Sequence, residues 1–271
     1  MNQIAYALEN LKSFGENKMT IAITRKISPR FNECEITYIE REPINLEIAY
    51  AQHQEYVNAL AEVGCQIIEL PAEADLPDSV FVEDTAFILP EVAVITRPGA
   101  DSRKPETESI IHALSPHRAL VHVTKPATVD GGDVLVLGKN IYVGISTRSN
   151  IASVNQMQEL LDNYGYKVTR VEMHDCLHLK TAVTKVDEKT LLINPKWADN
   201  FHFKDFDWII VDPSEPFAAN CLPVNNQIIY PTAFPITRAK LEARGYKVKA
   251  VAVDELAKAE GAVTCCSLII P

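Results

Sequence analysis

The stretch TVDGGDVL, residues 128–135, places an acidic, glycine-containing turn directly before a run of valine and leucine. Four other short turns precede strand-like runs, and together with residues 130–133 we call them the junctions: residues 81–84 (FVED), 178–180 (HLK), 218–221 (AANC) and 264–266 (TCC). The junctions are separated by 46, 48, 42 and 45 residues, counted along Asp84, Asp130, His178, Asn220 and Cys265. Near-constant spacing of this kind indicates a repeated structural unit.

Each of the first four junctions is followed by a strand, a turn and a second strand, and a helical pattern follows clearly in three of them. Strands are predicted at residues 21–24, 66–70, 80–82, 86–89, 92–96, 134–137, 141–143, 190–193, 208–211, 227–230, 248–253 and 267–270. Helices are predicted at residues 46–63, 107–114, 150–164 and 237–244. Too little chain follows the last junction to complete a unit, so we expect the strand at 21–24 and the helix at 46–63 to complete it and close a ring. The prediction is an α/β fold with five units around one axis; the alternative is an ordinary mixed α/β sheet with accidental spacing.

Length and charge limit the number of domains and the class of partner. The 271 residues correspond to about two domains of roughly 150 residues, but no linker rich in Pro, Gly or Ser divides the chain. We therefore expect residues 19–271 to form one domain, after an N-terminal tail of unknown role at residues 1–18. The formal net charge of −10 opposes binding to nucleic acid and anionic membranes, and it is compatible with a small cationic substrate. No motif indicates the oligomeric state.

The cysteines and the N-terminus indicate a compartment. The six cysteines are scattered, with one vicinal pair and no Cys-x-x-Cys spacing, which argues against a disulfide framework or a zinc knuckle. No run of about 18 apolar residues could span a membrane, and the N-terminus lacks the basic start and apolar core of a secretory signal. We expect a reduced, cytoplasmic protein.

If the junctions converge, their side chains form one reactive centre. The centre would hold a thiol, an imidazole and several carboxylates: Asp78, Glu83, Asp84, Asp130, Asp133, His178 and Cys265. A cysteine near a histidine is standard equipment for nucleophilic catalysis, in which the histidine moves the protons. So many carboxylates would repel an oxyanion, but they suit a planar guanidinium cation, whose five N–H donors fit carboxylates in pairs.

This composition predicts a reaction. The thiolate attacks the guanidinium carbon, His178 protonates the departing amine, and water then releases a urea, which is citrulline for an arginine-like substrate. Arg103 and Arg148 lie in loops where they could meet the substrate α-carboxylate. The competing hypothesis is a metal site made of Asp130, Asp133, His178 and Cys265, although metal ligands usually have tighter local spacing. Zinc could also occupy the Cys–His pair and inhibit.

Seven stretches together resemble the dimethylarginine dimethylaminohydrolases, within the guanidino-modifying (pentein) superfamily. They extend from residue 76 to residue 269, and the resemblance covers the chain from about residue 20: LPDSVFVEDTAFI (76–88), ITRPGADSR (95–103), TVDGGDVL (128–135), YVGISTRSN (142–150), LHLKTA (177–182), AANC (218–221) and GAVTCCSLI (261–269). The resemblance implies a five-bladed α/β propeller of ββαβ units with pseudo-fivefold symmetry, and an enzyme that needs neither a metal nor an organic cofactor.

The same resemblance implies a role for each site residue. Cys265 would be the nucleophile, His178 the general acid and base, and Asp130 the carboxylate that orients His178. The substrate would be held by carboxylates at the guanidinium, by arginines at its α-carboxylate and by backbone carbonyls at its α-amino group: Asp78, Glu83, Asp84, Arg103, Arg148, Ile36 and Ala259. Residues 31–38 would form a lid, with Ile36 where the family usually has leucine.

Three functions remain open from the sequence. The first is hydrolysis of Nω-methylated arginines to citrulline and a methylamine. The second is deimination of arginine or of another guanidine such as agmatine. The third is a catalytically idle protein that binds a cationic amino acid, against which the intact set of Cys265, His178 and Asp130 argues.

Overall fold

The computed structural model describes residues 19–271. The strands in this part of the chain are β1 Ile21–Arg25, β2 Gln66–Leu70, β3 Ala86–Ile88, β4 Val92–Ile95, β5 Ala119–His122, β6 Val134–Leu137, β7 Asn140–Ile145, β8 Lys167–Glu172, β9 Val183–Lys185, β10 Thr190–Ile193, β11 Asp207–Ile210, β12 Leu222–Val224, β13 Gln227–Pro231, β14 Val248–Val251 and β15 Leu268–Ile270. The α-helices are α1 Leu46–Glu62, α2 Thr107–Leu114, α3 Ile151–Leu161, α4 Leu179–Ala182, α5 Pro235–Ala243 and α6 Asp254–Ala257. The predicted tail, residues 1–18, lies outside the described residues.

The strands form five separate three-stranded sheets, which we call blades 1 to 5: β3-β4-β5, β6-β7-β8, β9-β10-β11, β12-β13-β14 and β15-β1-β2. In every blade the first strand is antiparallel to the middle strand, and the middle strand is parallel to the third. A parallel pair requires a crossover connection, and in four blades an α-helix supplies it, whereas blade 3 uses the short 3-10 helix Asn200–Phe203. The predicted five units are confirmed.

Blade 5 joins the two ends of the described chain. Strand β1 pairs antiparallel with β15, with Ile21 opposite Ile270, and parallel with β2, with Ile23 opposite Ile68. Helix α1 connects β1 to β2 and begins after Asn45, whose side chain accepts a hydrogen bond from the backbone of Ile48. The expected closure of the ring by the N-terminal strand and helix is therefore confirmed.

Apolar side chains hold neighbouring blades together. The middle strands β4 and β10 are buried at every position, which explains why their sequences are continuous apolar runs rather than alternating ones. Five clusters of buried side chains each combine residues from two adjacent blades. No described helix is both long enough and apolar enough to cross a bilayer.

The five junctions meet at the axis and bond to one another in a closed circle, which we call the hub ring. Each step is one hydrogen bond between adjacent junctions: Gly132 N to Asp84 Oδ1 (3.0 Å), Leu179 N to Asp133 Oδ1 (2.9 Å), Asn220 Nδ2 to Lys180 O (3.1 Å), Thr264 N to Asn220 Oδ1 (3.1 Å) and Glu83 N to Cys265 O (3.1 Å). The convergence predicted from the spacing of the junctions is thus present as direct contacts.

One predicted strand is wrong. Residues 80–82 form no strand; they lead through a turn into the 3-10 helix Val82–Thr85. The run is apolar because Val80, Phe81 and Val82 are buried beneath the hub, not because they pair in a sheet. The backbone turns sharply here, and the turn brings Glu83 and Asp84 to the axis.

Candidate active site

Two cavities meet at Cys265 and His178. The larger has a volume of about 220 Å³, and its polar lining includes Glu83, Lys180 and Asn220. The smaller has a volume of about 20 Å³, and its lining is mostly polar: Glu35, Asp78, Phe81, Asp84, Arg103, Arg148, Leu177, His178, Ala259, Glu260, Gly261 and Cys265. A substrate that extends into both cavities would therefore have its central atoms next to the thiol and the imidazole.

Cys265 lies in the fifth junction, just before β15. Its backbone N–H donates to Ala262 O at 3.2 Å, and its carbonyl accepts from Glu83 N at 3.1 Å, so both ends of the residue are fixed. Burial, together with the charges of Glu83 and Asp84, raises the pKa of the Cys265 thiol well above its usual value. A cation next to the sulfur would reverse part of this effect, since it favours the thiolate.

His178 lies at the start of α4, with its ring against the second junction. Its Nε2 is 3.1 Å from Asp130 Oδ2, and Asp130 Oδ1 in turn accepts from Gly99 N at 2.8 Å. A Cβ atom at Gly132 would lie 2.6 Å from His178 Nδ1, so the glycine is needed for the ring to approach. Burial alone would lower the pKa of His178, but the charges of Asp84, Asp133 and the bonded Asp130 outweigh it and raise the pKa to about 9.

Glu83 is already engaged by protein groups. Its Oε1 accepts from Lys180 Nζ at 2.5 Å, and its Oε2 accepts from Thr264 Oγ1 at 2.8 Å. The structure places this carboxylate on the wall of the larger cavity, together with Cys265. A guanidinium that binds Glu83 must therefore share it with, or displace, the ammonium of Lys180.

Asp84 and Arg103 form a buried ion pair. Arg103 Nη1 donates to Asp84 Oδ2 at 2.5 Å, and Nε and Nη2 donate to Glu106. Arg103 Nη2 also donates to the carbonyls of Asp78 and Phe81. Burial would raise the pKa of Asp84, but His178 and Arg103 outweigh it and hold the pKa below its usual range. Most of the Arg103 donors are thus used inside the protein, which leaves few for a substrate carboxylate.

Asp133 supports the hub. It is fully buried, and it accepts hydrogen bonds from Leu179 N, Ser146 Oγ and Ser149 Oγ at 2.9, 2.6 and 2.6 Å. Burial, only partly offset by His178, raises the pKa of Asp133 to about 6. The structure therefore ties this residue to backbone and serine groups and does not direct it into either cavity.

The structure does not bring together the four residues of the metal site considered from the sequence. Among the described residues, one set of three ligand-type groups lies within 4.8 Å of one another, namely Asp84, Asp130 and His178. It includes neither Asp133 nor Cys265. Within this set Asp84 is paired with Arg103, and His178 is bonded to Asp130, so protein contacts already use these groups.

The smaller cavity contains the groups expected to hold an amino acid. Asp78, Arg148 and Ala259 line it, whereas Ile36 packs half-buried against the apolar cluster of blades 4 and 5. Asp78 Oδ2 accepts from Glu35 N at 3.1 Å, so this carboxylate holds the predicted lid segment. Burial raises the pKa of Asp78.

The predicted lid is tied down on two sides. Glu260 has a left-handed backbone, with φ of 58°, and its carboxylate accepts from Thr37 N and Tyr38 N, both at 2.7 Å. Arg148 Nη2 donates to Thr37 Oγ1 at 3.1 Å. These contacts hold Tyr38 at the wall of the larger cavity.

Sequence reasoning missed five residues that shape this site. Lys180 and Thr264 donate to Glu83, and Asn220 completes the hub ring. Glu106 accepts from Arg103, and Glu260 accepts from the lid. Three of them are junction residues, so their shared place in the repeat was an available signal. Glu106 lies three residues after Arg103 and Glu260 directly after Ala259, and neither position has a counterpart in the repeat.

Comparisons with known proteins agree with this geometry. A family model described as N,N dimethylarginine dimethylhydrolase, eukaryotic, matches residues 22–199. A dimethylarginine dimethylaminohydrolase from Pseudomonas aeruginosa is 37% identical over 223 residues, which are 81% of this chain and 87% of the relative. The corresponding protein from Streptomyces coelicolor is 36% identical over 248 residues, 91% of this chain and 95% of the relative.

A solved structure extends the likeness to three dimensions. It is a mutant dimethylarginine dimethylaminohydrolase from P. aeruginosa in complex with citrulline, and it superposes with a TM-score of 0.89 at 32% identity. The match covers 93% of this chain and 99% of the solved chain. The whole blade arrangement is therefore shared, including the blade that closes the ring.

Proposed function

Because the chain belongs to the dimethylarginine dimethylaminohydrolase family, we propose that it hydrolyses Nω-methylated L-arginines to citrulline and a methylamine. One observation carries the proposal: Cys265 and His178 line the same two cavities, and His178 is bonded to Asp130. The substrates are Nω,Nω-dimethyl-L-arginine and Nω-monomethyl-L-arginine, and the products besides citrulline are dimethylamine and methylamine.

The reaction has two halves. In the first, the Cys265 sulfur bonds to the guanidinium carbon, the bond from that carbon to the methylated nitrogen breaks, and the proton on His178 goes to the departing amine. In the second, His178 takes a proton from water, the hydroxide adds to the carbon, and the carbon–sulfur bond breaks to release citrulline. The raised pKa of His178, about 9, supports the first half because the ring is protonated at neutral pH.

The carboxylates explain why a guanidinium is the electrophile. Glu83 and Asp84 raise the thiol pKa while no substrate is bound, and a bound cation compensates them next to the sulfur. The free enzyme would thus keep its thiol protonated. Binding of the cation would favour the thiolate, and the thiol proton would leave to solvent before the sulfur attacks. In this proposal Glu83 holds the guanidinium, and Asp84 stays with Arg103 and keeps His178 protonated.

The smaller cavity favours a free amino acid over an arginine within a protein. Arg148 supplies a cation for the α-carboxylate, and we assign the α-amino group to the backbone of Ala259, a residue that lines the same cavity. Both groups would recognise the charged ends of a free amino acid, which an arginine within a protein lacks. We assign the carboxylate contact to Arg148 first, because Arg103 is held by Asp84 and Glu106.

We also propose that residues 19–271 act as one catalytic domain in the cytoplasm. The shared hub supports the first point, since every blade contributes a junction to it. The six free, buried cysteines support the second, because thiols persist in a reducing compartment.

The test is a citrulline assay on the purified chain with dimethylarginine, monomethylarginine, L-arginine and agmatine. We expect turnover of the methylated substrates, loss of citrulline formation in Cys265→Ser, and activity within a few-fold of wild type in the control Cys266→Ser. Cys266 is the matched neighbour, because it is buried but lines neither cavity. Wild-type activity in Cys265→Ser would exclude the covalent mechanism, and equal turnover of arginine and agmatine would favour a general deiminase.

A further inference from the structure

The larger cavity extends well beyond the reacting groups. Its outer part is formed by blade 4 and by the chain around the end of the lid segment. Besides the polar residues Tyr38, Asp254 and Glu260, its lining there consists of apolar residues: Ile39, Phe217, Pro231, Ala233, Phe234, Val253 and Ala257. The reaction proposed above assigns no function to this outer part. It belongs to the same cavity as Cys265, so a substituent on the reacting carbon can extend into it.

The two cavities fix the orientation of the substrate. The groups suited to an α-carboxylate and an α-amino group, Arg148 and Ala259, line the smaller cavity and not the larger. With the guanidinium at Cys265, its outer nitrogens must therefore face the larger cavity. A substituent on an outer nitrogen would point between Phe217 and Phe234.

The size of the larger cavity exceeds what methyl groups need. An apolar cavity of about 150 Å³ is large enough to hold a benzene molecule, and this one has about 220 Å³. Aromatic and aliphatic walls attract apolar groups, and burying one CH₂ contributes about 0.8 kcal/mol. Both the volume and the lining thus fit a substituent larger than methyl.

We propose that the larger cavity binds the Nω substituent of the substrate and accepts apolar groups up to about the size of a phenyl ring. The inference rests on the proposed hydrolysis and specifies its substrate class: Nω-alkyl and Nω-arylalkyl L-arginines, which yield citrulline and the corresponding primary or secondary amine. The bond changes are those given above, with the larger amine as the leaving group.

The test compares Nω-benzyl-L-arginine with Nω,Nω-dimethyl-L-arginine by the ratio of their kcat/KM values. We expect a wild-type ratio within about tenfold of one, and a ratio at least about tenfold lower in Ala257→Phe, which fills the outer cavity. The matched control is Ala243→Phe, an exposed alanine at the end of α5 outside the cavity, which should leave the ratio unchanged. A wild-type ratio below one tenth, or an unchanged ratio in Ala257→Phe, overturns the inference.

A binding measurement separates this inference from the proposed function. If neither substrate is turned over, the hydrolase proposal fails. Calorimetry on Cys265→Ser then measures whether the larger cavity binds the Nω substituent. A Kd for benzylarginine within about tenfold of that for dimethylarginine supports the cavity as an Nω-substituent site. Weaker binding of benzylarginine than this, or no binding of either compound, overturns it.

Discussion

At the scale of single residues, the site is a balance of buried charges around one thiol. Burial raises the pKa of Cys265, Glu83 and Asp84 raise it further, and the ammonium of Lys180 opposes them. Its ammonium lies 2.5 Å from Glu83 Oε1 and lines the same cavity as the sulfur. Lys180 therefore partly compensates Glu83 before any substrate arrives.

Replacing Lys180 should make the thiol less reactive in the free enzyme. In Lys180→Met the Glu83 carboxylate loses its counter-charge, so the pKa of Cys265 rises further and the thiolate fraction falls. We expect alkylation of Cys265 by iodoacetamide at pH 8 to slow by about three- to tenfold, since nucleophilicity offsets part of the change. Peptide mass spectrometry on timed samples measures the rate. Lys185→Met, which removes a lysine paired with the exposed Glu188, is the control. Unchanged or faster alkylation would show that Lys180 does not act on the thiol.

At the scale of elements, apolar runs predicted most of the strands and missed four: β5, β8, β9 and β12. The middle strands β4 and β10 stand out as apolar runs because both faces are buried. The outer strands β5 and β8 mix polar and apolar residues and are only partly buried, so their pattern is weak. Strand β12 has three residues, one of them Pro223, which is atypical of a strand. Composition mattered more than burial, because the partly exposed strands β2 and β11 were predicted from their paired isoleucines, whereas the largely buried β9, with the sequence VTK, was missed.

The lid is an element whose contacts the sequence did not reveal. The expected substrate contact was near Ile36, but the hydrogen bonds that fix this segment run from Thr37 and Tyr38 to Glu260. Glu260 lies 223 residues after Thr37 and 222 residues after Tyr38, so no local sequence pattern could link them. Only the closed ring brings them together.

Loosening this contact should weaken substrate binding more than it slows the chemistry. Glu260→Gln replaces one of the two accepting oxygens by an N–H donor, which faces a backbone N–H. Loss of a charged hydrogen bond of about 1.5 kcal/mol corresponds to a KM roughly tenfold higher. We expect that rise with a smaller change in kcat, measured with dimethylarginine. The control is Glu40→Gln, an exposed glutamate two residues beyond the lid. A fall in kcat at constant KM would place Glu260 in the chemical step instead.

At the scale of the whole molecule, the hub ring joins the fold to the site. The spacing of the junctions predicted that Cys265, His178 and Asp130 converge, and they do so because each blade contributes one turn to the axis. The pairing of Arg103 could not be predicted in the same way. The sequence places Arg103 in a loop, but its partners Asp84 and Glu106 depend on where the buried guanidinium points.

Breaking the hub ring should cost stability. Asn220 supplies two of its five steps, to Lys180 O and from Thr264 N, and also donates to Thr264 Oγ1. In Asn220→Ala these buried bonds are lost, at about 1 kcal/mol each, so we expect the free energy of unfolding to fall by about 3 kcal/mol. Urea unfolding measures the change, and Asn58→Ala on the exposed face of α1 is the control. A loss below about 1 kcal/mol would mean that the ring contributes little to holding the junctions together.

The stability of the molecule should also depend on pH through His53. This residue lies on α1, almost fully buried, and its Nε2 has no hydrogen-bond partner among the described residues. Burial lowers its pKa from 6.5 to about 4, so the unfolded chain binds a proton between these values that the folded chain excludes. Stability is therefore lost as the pH falls from 6.5 to 4, by up to about 3 kcal/mol. In His53→Leu we expect this loss to disappear. Urea unfolding at pH 7.5, 6 and 5 would then show a smaller fall in the free energy of unfolding toward acid pH, which we call the acid limb. The exposed His112→Leu should keep the wild-type limb. If His53→Leu instead loses stability in parallel with wild type, other groups control the acid limb.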